Sequence, residues 1–231
     1  MIELHQFPQA WGINPSPFCL KIEIFFRLAG IDYQPRTTLP FLAPRGKLPF
    51  ITDGDARIAD SALIIEHCRT AHGVDLDAGL DARQRALGHL MRRTLEESLY
   101  FVLLHARWID AAGWAAVRPA FFGGMPPGMR QALPSLIRRG IGKTLRAQGY
   151  GRHGADGIHT LGIADLDALA GAMTPDGFAV GERATTVDAT LYAFLESILI
   201  PPIDNPLKRH AERVTVFAAY RERMQIGRAH V

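Results

Sequence analysis

The sequence predicts a small α/β layer followed by an all-α domain, and three observations carry that expectation. Strand and helix signals alternate through the first seventy-odd residues, after which strand signals stop. An Asp53-Gly54 turn signal separates two short β-rich runs, 50–52 and 57–59. Further on, Thr185-Thr186-Val187-Asp188 reads as a capping box ahead of a stretch, 189–200, that is apolar almost all round and belongs in a core.

Residues 2–7 form the first strand, with Ile2 and Leu4 on one face, and a Pro/Gly/Asn-rich loop follows to Pro15. Ser16 is a good N-cap, Pro17 fits the first helical position, and Phe18, Ile22, Phe25, Phe26 and Ala29 recur at helical spacing up to a stop at Gly30. Residues 31–38 read as a second strand and 39–47 as irregular. After the hairpin, Asp60-Ser61 opens a helix carrying Leu63, Ile64, Ile65 and Cys68, closed at Gly73. This order of strand, helix, strand, hairpin and helix is of thioredoxin type and too short for a dinucleotide-binding fold.

From Asp81 onward, Leu87, Leu90, Met91, Leu95, Phe101, Val102 and His105 trace a helical stripe running on to Trp108. Prolines and glycines are expected to break the helices across 119–134. Residues 163–173 are helical, and Pro201-Pro202 stops the apolar helix. The expected boundaries are an α/β domain over 1–75, a helical domain over 81–224, and a tail over 225–231 that is frayed or artefactual. Ile226-Gly227-Arg228-Ala229-His230-Val231 reads like a translated sequencing adapter, so the natural C-terminus is expected to be missing.

The chain has 231 residues, 48% hydrophobic and 21% charged, which excludes a disordered chain. No apolar run approaches a membrane span, no signal peptide is visible, and two cysteines cannot build a disulfide framework. A cytoplasmic protein with no membrane insertion is expected. Residues 111–155 carry seven bases and no acid, yet lack the interleaved aromatics of a stacking platform; no nucleic-acid partner is expected.

Gly149-Tyr150-Gly151-Arg152-His153-Gly154 has the letters of a nucleotide loop but follows a helix, so it reads as an interhelical loop. Cys68 and His72 share a helix face, but two ligands make no metal site, and His67, His89 and His105 read as partly buried helix residues; no metal is expected. Ser16 supports two readings. Its hydroxyl can bond an amide of the first turn, or it can donate to a thiolate that the helix start also favours. Cys19, one turn deeper, reads as a buried small residue, as does Cys68.

These residues resemble the glutathione S-transferase superfamily from Met1 to about Met224. Ser16-Pro17-Phe18-Cys19 stands where redox relatives carry C-x-x-C. Gly46-Lys47-Leu48-Pro49-Phe50-Ile51 resembles the loop whose proline is cis, and Asp60-Ser61-Ala62-Leu63-Ile64-Ile65 resembles the acid–serine pair that holds the γ-glutamyl end of glutathione. Within the superfamily, residues 15–21, 149–153 and 220–224 look most like the metaxin and failed-axon-connections branch.

The resemblance implies glutathione as co-substrate, a catalytic Ser16, and ligand contacts from Phe18, Lys47, Leu48, Pro49, Asp60 and Ser61. The backbone of Leu48 would pair with the cysteinyl part, Asp60 with the glutamyl ammonium and Ser61 with its carboxylate. Trp11, Tyr100 and Trp108 are candidate walls for a small electrophile between the domains. The expected activity is conjugation of a glutathione thiolate to a small hydrophobic electrophile, with a homodimer allowed. The rival is a non-enzymatic interaction or ligand-binding module of metaxin type; a glutathione-dependent isomerase, peroxidase or lyase also stays open.

Overall fold

A computed structural model describes residues 1–226. The N-terminal part contains β1 (Ile2–Gln6), α1 (Pro17–Leu28), β2 (Tyr33–Thr37), β3 (Phe50–Asp53), β4 (Ala56–Ala59) and α2 (Ser61–Ala71), the order anticipated. The strands form one mixed sheet in the order β2-β1-β3-β4, with β1 parallel to β2 and antiparallel to β3. In β1, Ile2 and Leu4 turn their side chains into the core while Glu3 and His5 stay partly exposed, the period of two that strands impose, whereas in β3 Phe50 and Ile51 are buried on opposite faces. The hairpin turn lies one residue later than expected. Asp53 pairs with Ala56 in the ladder, so the two-residue loop is Gly54-Asp55, and Gly54 takes the positive φ of 57° that this turn needs.

The α domain follows as α3 (Ala82–Arg93), a π-helical segment (Thr94–Leu99), α4 (Tyr100–Trp108), α5 (Ala111–Phe122), α6 (Pro127–Gln148), α7 (Ala155–Ala172), α8 (Thr186–Leu199), α9 (Pro206–Arg213) and α10 (Thr215–Ile226). Among the described residues no strand occurs in this half, as expected. The capping box at Thr185 and Asp188 is present, with a second one at Asp81 and Gln84 opening α3.

Two expectations need correction. The break between α5 and α6 covers only 123–126, because Pro119 lies inside α5 and Pro134 inside α6. Each proline removes one helical hydrogen bond, yet Gly123 N–H still reaches Pro119 O at 2.9 Å, and burial of Pro134 holds the longer helix together. Helix α7 begins at Ala155 rather than near 163. Gly162 of this helix serves a contact: a Cβ there would lie 2.6 Å from Val102 Cγ1, so glycine lets α7 approach α4 this closely. The motif at 149–154 is a short 3-10 turn between α6 and α7, as expected, and Tyr150 Oη shares a 2.6 Å hydrogen bond with Ser98 Oγ.

Helix α8 is the centre of the molecule, with Val187 through Ile198 all buried. Helix α1 packs across it, and Phe25, Phe26, Ile22, Phe194 and Leu191 belong to one apolar core spanning both halves. Each such side chain contributes roughly 1.5–3 kcal/mol. The domains are therefore fixed against each other along the α1–α8 contact, beside which the functional residues gather. No helix among the described residues is long and apolar enough to cross a membrane. The expected tail starts within α10 at Gln225, and its residues 227–231 lie outside the described residues.

Candidate active site at the start of α1

The loop before α1 is built to present Ser16. Trp11 and Gly12 form a two-residue turn closed by Ala10 N–H to Ile13 O at 2.9 Å, and both have positive φ, 56° for Trp11. A bulky residue in that region is strained, and such strain gathers at functional sites. Asn14 is fully buried, donates to Phe7 O at 2.9 Å and accepts from Ser16 N–H at 3.1 Å. Arg107 of α4, equally enclosed, donates to Pro15 O and to Ser197 O, each at 2.5 Å. Burial pulls its guanidinium down to about 10, which leaves it charged at neutral pH. One cation thus ties the residue before Ser16 to the central helix.

Ser16 itself is half-buried, and Pro17 fills the first helical position. Its Oγ accepts from Cys19 N–H at 3.4 Å and keeps its own proton to donate, with the Cys19 thiol as one neighbour in reach. Both readings of Ser16, cap and donor, are therefore compatible. The first-turn amides and the positive end of the helix dipole favour an anion at the same place.

The Leu48-Pro49 peptide bond is cis. Leu48 packs with Cys19, Ala43, Phe50 and Ala59, which brings this loop against the first turn of α1. Lys47 is exposed. Asp60 caps α2 through Ala62 N–H at 2.9 Å and holds a left-handed φ of 91°, a second strained non-glycine residue near the helix starts. Ser61 is buried, and its Oγ accepts from Lys21 Nζ at 3.2 Å. Lys21 also donates to Glu96 Oε1 at 2.6 Å, and Arg92 holds the other Glu96 oxygen at 2.9 Å. Burial lowers the Lys21 ammonium from its ordinary range, and the Glu96 carboxylate opposes that shift.

Of the three aromatic residues expected as walls, two converge. Trp11 and Trp108 both pack on Phe121 of α5, with ring centroids 5.3 and 5.7 Å apart, and Trp114 extends the group from Trp108. Tyr100 lies elsewhere, edge-on to Phe18 at 5.0 Å, and Phe18 in turn meets Phe194 at 5.9 Å. Arg138, one of the seven bases of 111–155, stacks on Trp114 and caps α4 by donating to Trp108 O and Ile109 O. A hollow of about 260 Å³ between α3 and the start of α8, lined by Leu80, Arg85 and Val180 among others, shares none of the aromatic residues and meets the group behind Ser61 only at Arg92.

Burial pushes the Cys19 thiol up to about 12 and Cys68 to about 11, so both stay protonated, matching their reading as small core residues. His105 is buried as expected, but His89 is exposed. His72 does not team with Cys68; it reaches Asp53 instead. Asn14, Lys21, Glu96, Arg107 and Phe121 escaped sequence reading. A lysine inside the apolar stripe of α1 was the one signal available for this group.

A mixed four-stranded sheet with a cis-proline loop, joined to a helical domain around a buried capped helix, is the architecture of glutathione transferases. The glutathione S-transferase N-terminal domain family matches residues 17–113, and the glutathione S-transferase C-terminal domain family matches residues 162–224. The chain is 34% identical over 211 residues to the isoprene-epoxide glutathione S-transferase of Rhodococcus sp. (strain AD45), covering 87% of this chain and 88% of that protein. It belongs to the glutathione S-transferase family. Failed axon connections of Drosophila melanogaster is 29% identical over 86% of this chain, which spans half of that protein. Human metaxin-2 is 22% identical over 84% of this chain and 74% of its own length, in keeping with a metaxin-like branch. Glutathione transferase GSTFuA3 from Phanerochaete chrysosporium superposes with a TM-score of 0.69 at 15% identity, over 98% of this chain and 96% of that one. At that identity the likeness speaks for the fold.

Proposed function

We propose that the chain is a glutathione transferase that adds the glutathione thiolate to a small hydrophobic electrophile, with epoxides as the first class to try. The observation that carries this is the placement of the Ser16 hydroxyl at the start of α1, in a loop locked by Asn14 and Arg107. Similarity to an enzyme named for isoprene epoxide suggests the electrophile.

On this reading glutathione lies along the Leu48-Pro49 loop, adding an extended strand to the sheet edge. Asp60 takes the glutamyl ammonium, and Ser61, polarised by Lys21, donates to its carboxylate. A free thiol titrates near 8.5, so it must be stabilised as thiolate to attack at neutral pH. Ser16 Oγ–H and the first-turn amides supply that stabilisation. The aromatic group of Trp11, Phe121 and Trp108 then shelters the electrophile from water.

Retention on immobilised glutathione, followed by conjugation assays with 1-chloro-2,4-dinitrobenzene and a small alkyl epoxide, tests the proposal. Binding with turnover supports it. The failed-axon and metaxin relatives favour a second reading, an interaction module on the same fold. Absence of both binding and turnover would overturn the first reading and favour the second.

A further inference from the structure

We propose that Asp53, His67 and His72 form a binding site for a late first-row divalent metal ion, with zinc as the reference ion. The site lies at the C-terminal end of α2, whereas Asp60 and Ser61 stand at its start.

The geometry is convergent. His67 Nε2 lies 2.8 Å and His72 Nε2 2.7 Å from the same oxygen, Asp53 Oδ2. All three donor atoms fall within 4.8 Å of one another. Ligands at about 2.0–2.1 Å around a tetrahedral zinc stand roughly 3.3–3.4 Å apart. Seating an ion therefore asks each Asp53–histidine separation to open by about 0.6 Å.

The chemistry suits such an ion. Two neutral imidazoles and one carboxylate are borderline ligands that favour zinc, copper(II) or nickel(II) over magnesium and calcium. On binding, each Nε2 gives its lone pair to the metal and its proton moves to Nδ1 or to solvent. Side-chain exposures of 20% for Asp53, 22% for His67 and 37% for His72 leave an entry path and room for a water as fourth ligand. His72 is also the C-cap of α2, where the negative end of the helix dipole favours a cation.

A second trio of the same residue types makes the contrast. His105 and His159 approach opposite oxygens of Asp110, at 3.2 and 2.8 Å, and both imidazoles are almost fully buried. Only His159 hydrogen-bonds Asp110 there, and the two imidazoles address different oxygens rather than one point. It serves as an internal control.

The test uses the full chain without an affinity tag, stripped with a chelator and titrated with zinc against a chromophoric competitor. One equivalent should bind, and His67→Gln or His72→Gln should each weaken it by about tenfold or more. Zinc should raise the thermal midpoint of the parent chain and not that of the double variant. Absence of stoichiometric binding, or equal affinity in the variants, overturns the proposal. Should the variants fold poorly, the parent chain still decides: zinc should protect His67 and His72 from diethylpyrocarbonate, mapped by mass spectrometry. Labelling of those two histidines that zinc leaves unchanged overturns the site.

Discussion

Lys21 Nζ stands 3.2 Å from Ser61 Oγ and 2.6 Å from Glu96 Oε1, in a pocket that leaves the lysine no solvent exposure. A charge in the middle of α1 thereby joins the start of α2 to the long helix of the second domain. Desolvation offsets much of the attraction in such a pair, so its worth lies in what breaks when one partner goes. Lys21→Met should destabilise the fold by about 3–5 kcal/mol in a denaturant melt. Adding Glu96→Leu should restore part of that stability while glutathione affinity stays low, because Ser61 remains without its donor. Full affinity in the double variant would separate the Lys21–Ser61 contact from ligand binding.

Ser16→Ala should lower turnover by ~10² or more, as removal of a well-placed donor does, and raise the apparent thiol pKa of bound glutathione. Because Ser16 also caps α1 through Cys19 N–H, a thermal melt should show an added loss of about 0.5–2 kcal/mol. Cys19→Ala should keep conjugation nearly intact. The opposite pattern, an active Ser16→Ala and a dead Cys19→Ala, would move the chemistry to Cys19.

Phe121→Ala removes the ring on which Trp11 and Trp108 meet. Aromatic contacts of this kind contribute about 0.5–1.5 kcal/mol beyond area. The KM for the electrophile should rise by up to about tenfold, with the KM for glutathione unchanged. A matching rise in both would mean that the cluster supports the Ser16 loop rather than the second substrate.

Alkaline pH should weaken the fold through Cys19. Its thiol is pushed up to about 12 by burial, whereas in the unfolded chain it titrates near 8.5. Between those values the folded chain binds the proton and the unfolded chain does not, so stability falls as pH rises. The slope of thermal midpoint against pH between about 9 and 11 should be shallower in Cys19→Ala than in the parent chain. Iodoacetamide should leave Cys19 unmodified until the protein unfolds.

Local signals carried the fold well. The Ser16-Pro17 start, the Asp-Gly hairpin and the Thr185–Asp188 capping box are each written in neighbouring residues, and each formed. Local reading failed where distant packing decides. Pro119 and Pro134 read as breakers, yet both are absorbed into helices. The Lys21–Glu96 pair joins residues 75 apart in sequence, and Arg107 reaches Pro15 across 92. No spacing rule links such positions. The resemblance pointed to Leu48, Asp60 and Ser61 by their order in the chain, but the lysine behind Ser61 belongs to the interior of another helix. Asp53, His67 and His72 are close in sequence, but helical spacing sets His72 only beside Cys68, which faces the core, and not beside Asp53 across the hairpin.

The long helical run from Ala82 to Trp108 carries two jobs on one axis, holding Glu96 toward Lys21 and holding Arg107 and Trp108 toward the Ser16 loop. The π-helical segment Thr94–Leu99 sets the angular phase between those two faces. A π turn, closed by an i→i+5 bond, takes up one residue more than an α turn, so the same residues wound as regular α-helix would swing Arg107 and Trp108 around by roughly 100°. The aromatic wall proposed for the second substrate is thus governed by a count of residues as much as by their identity.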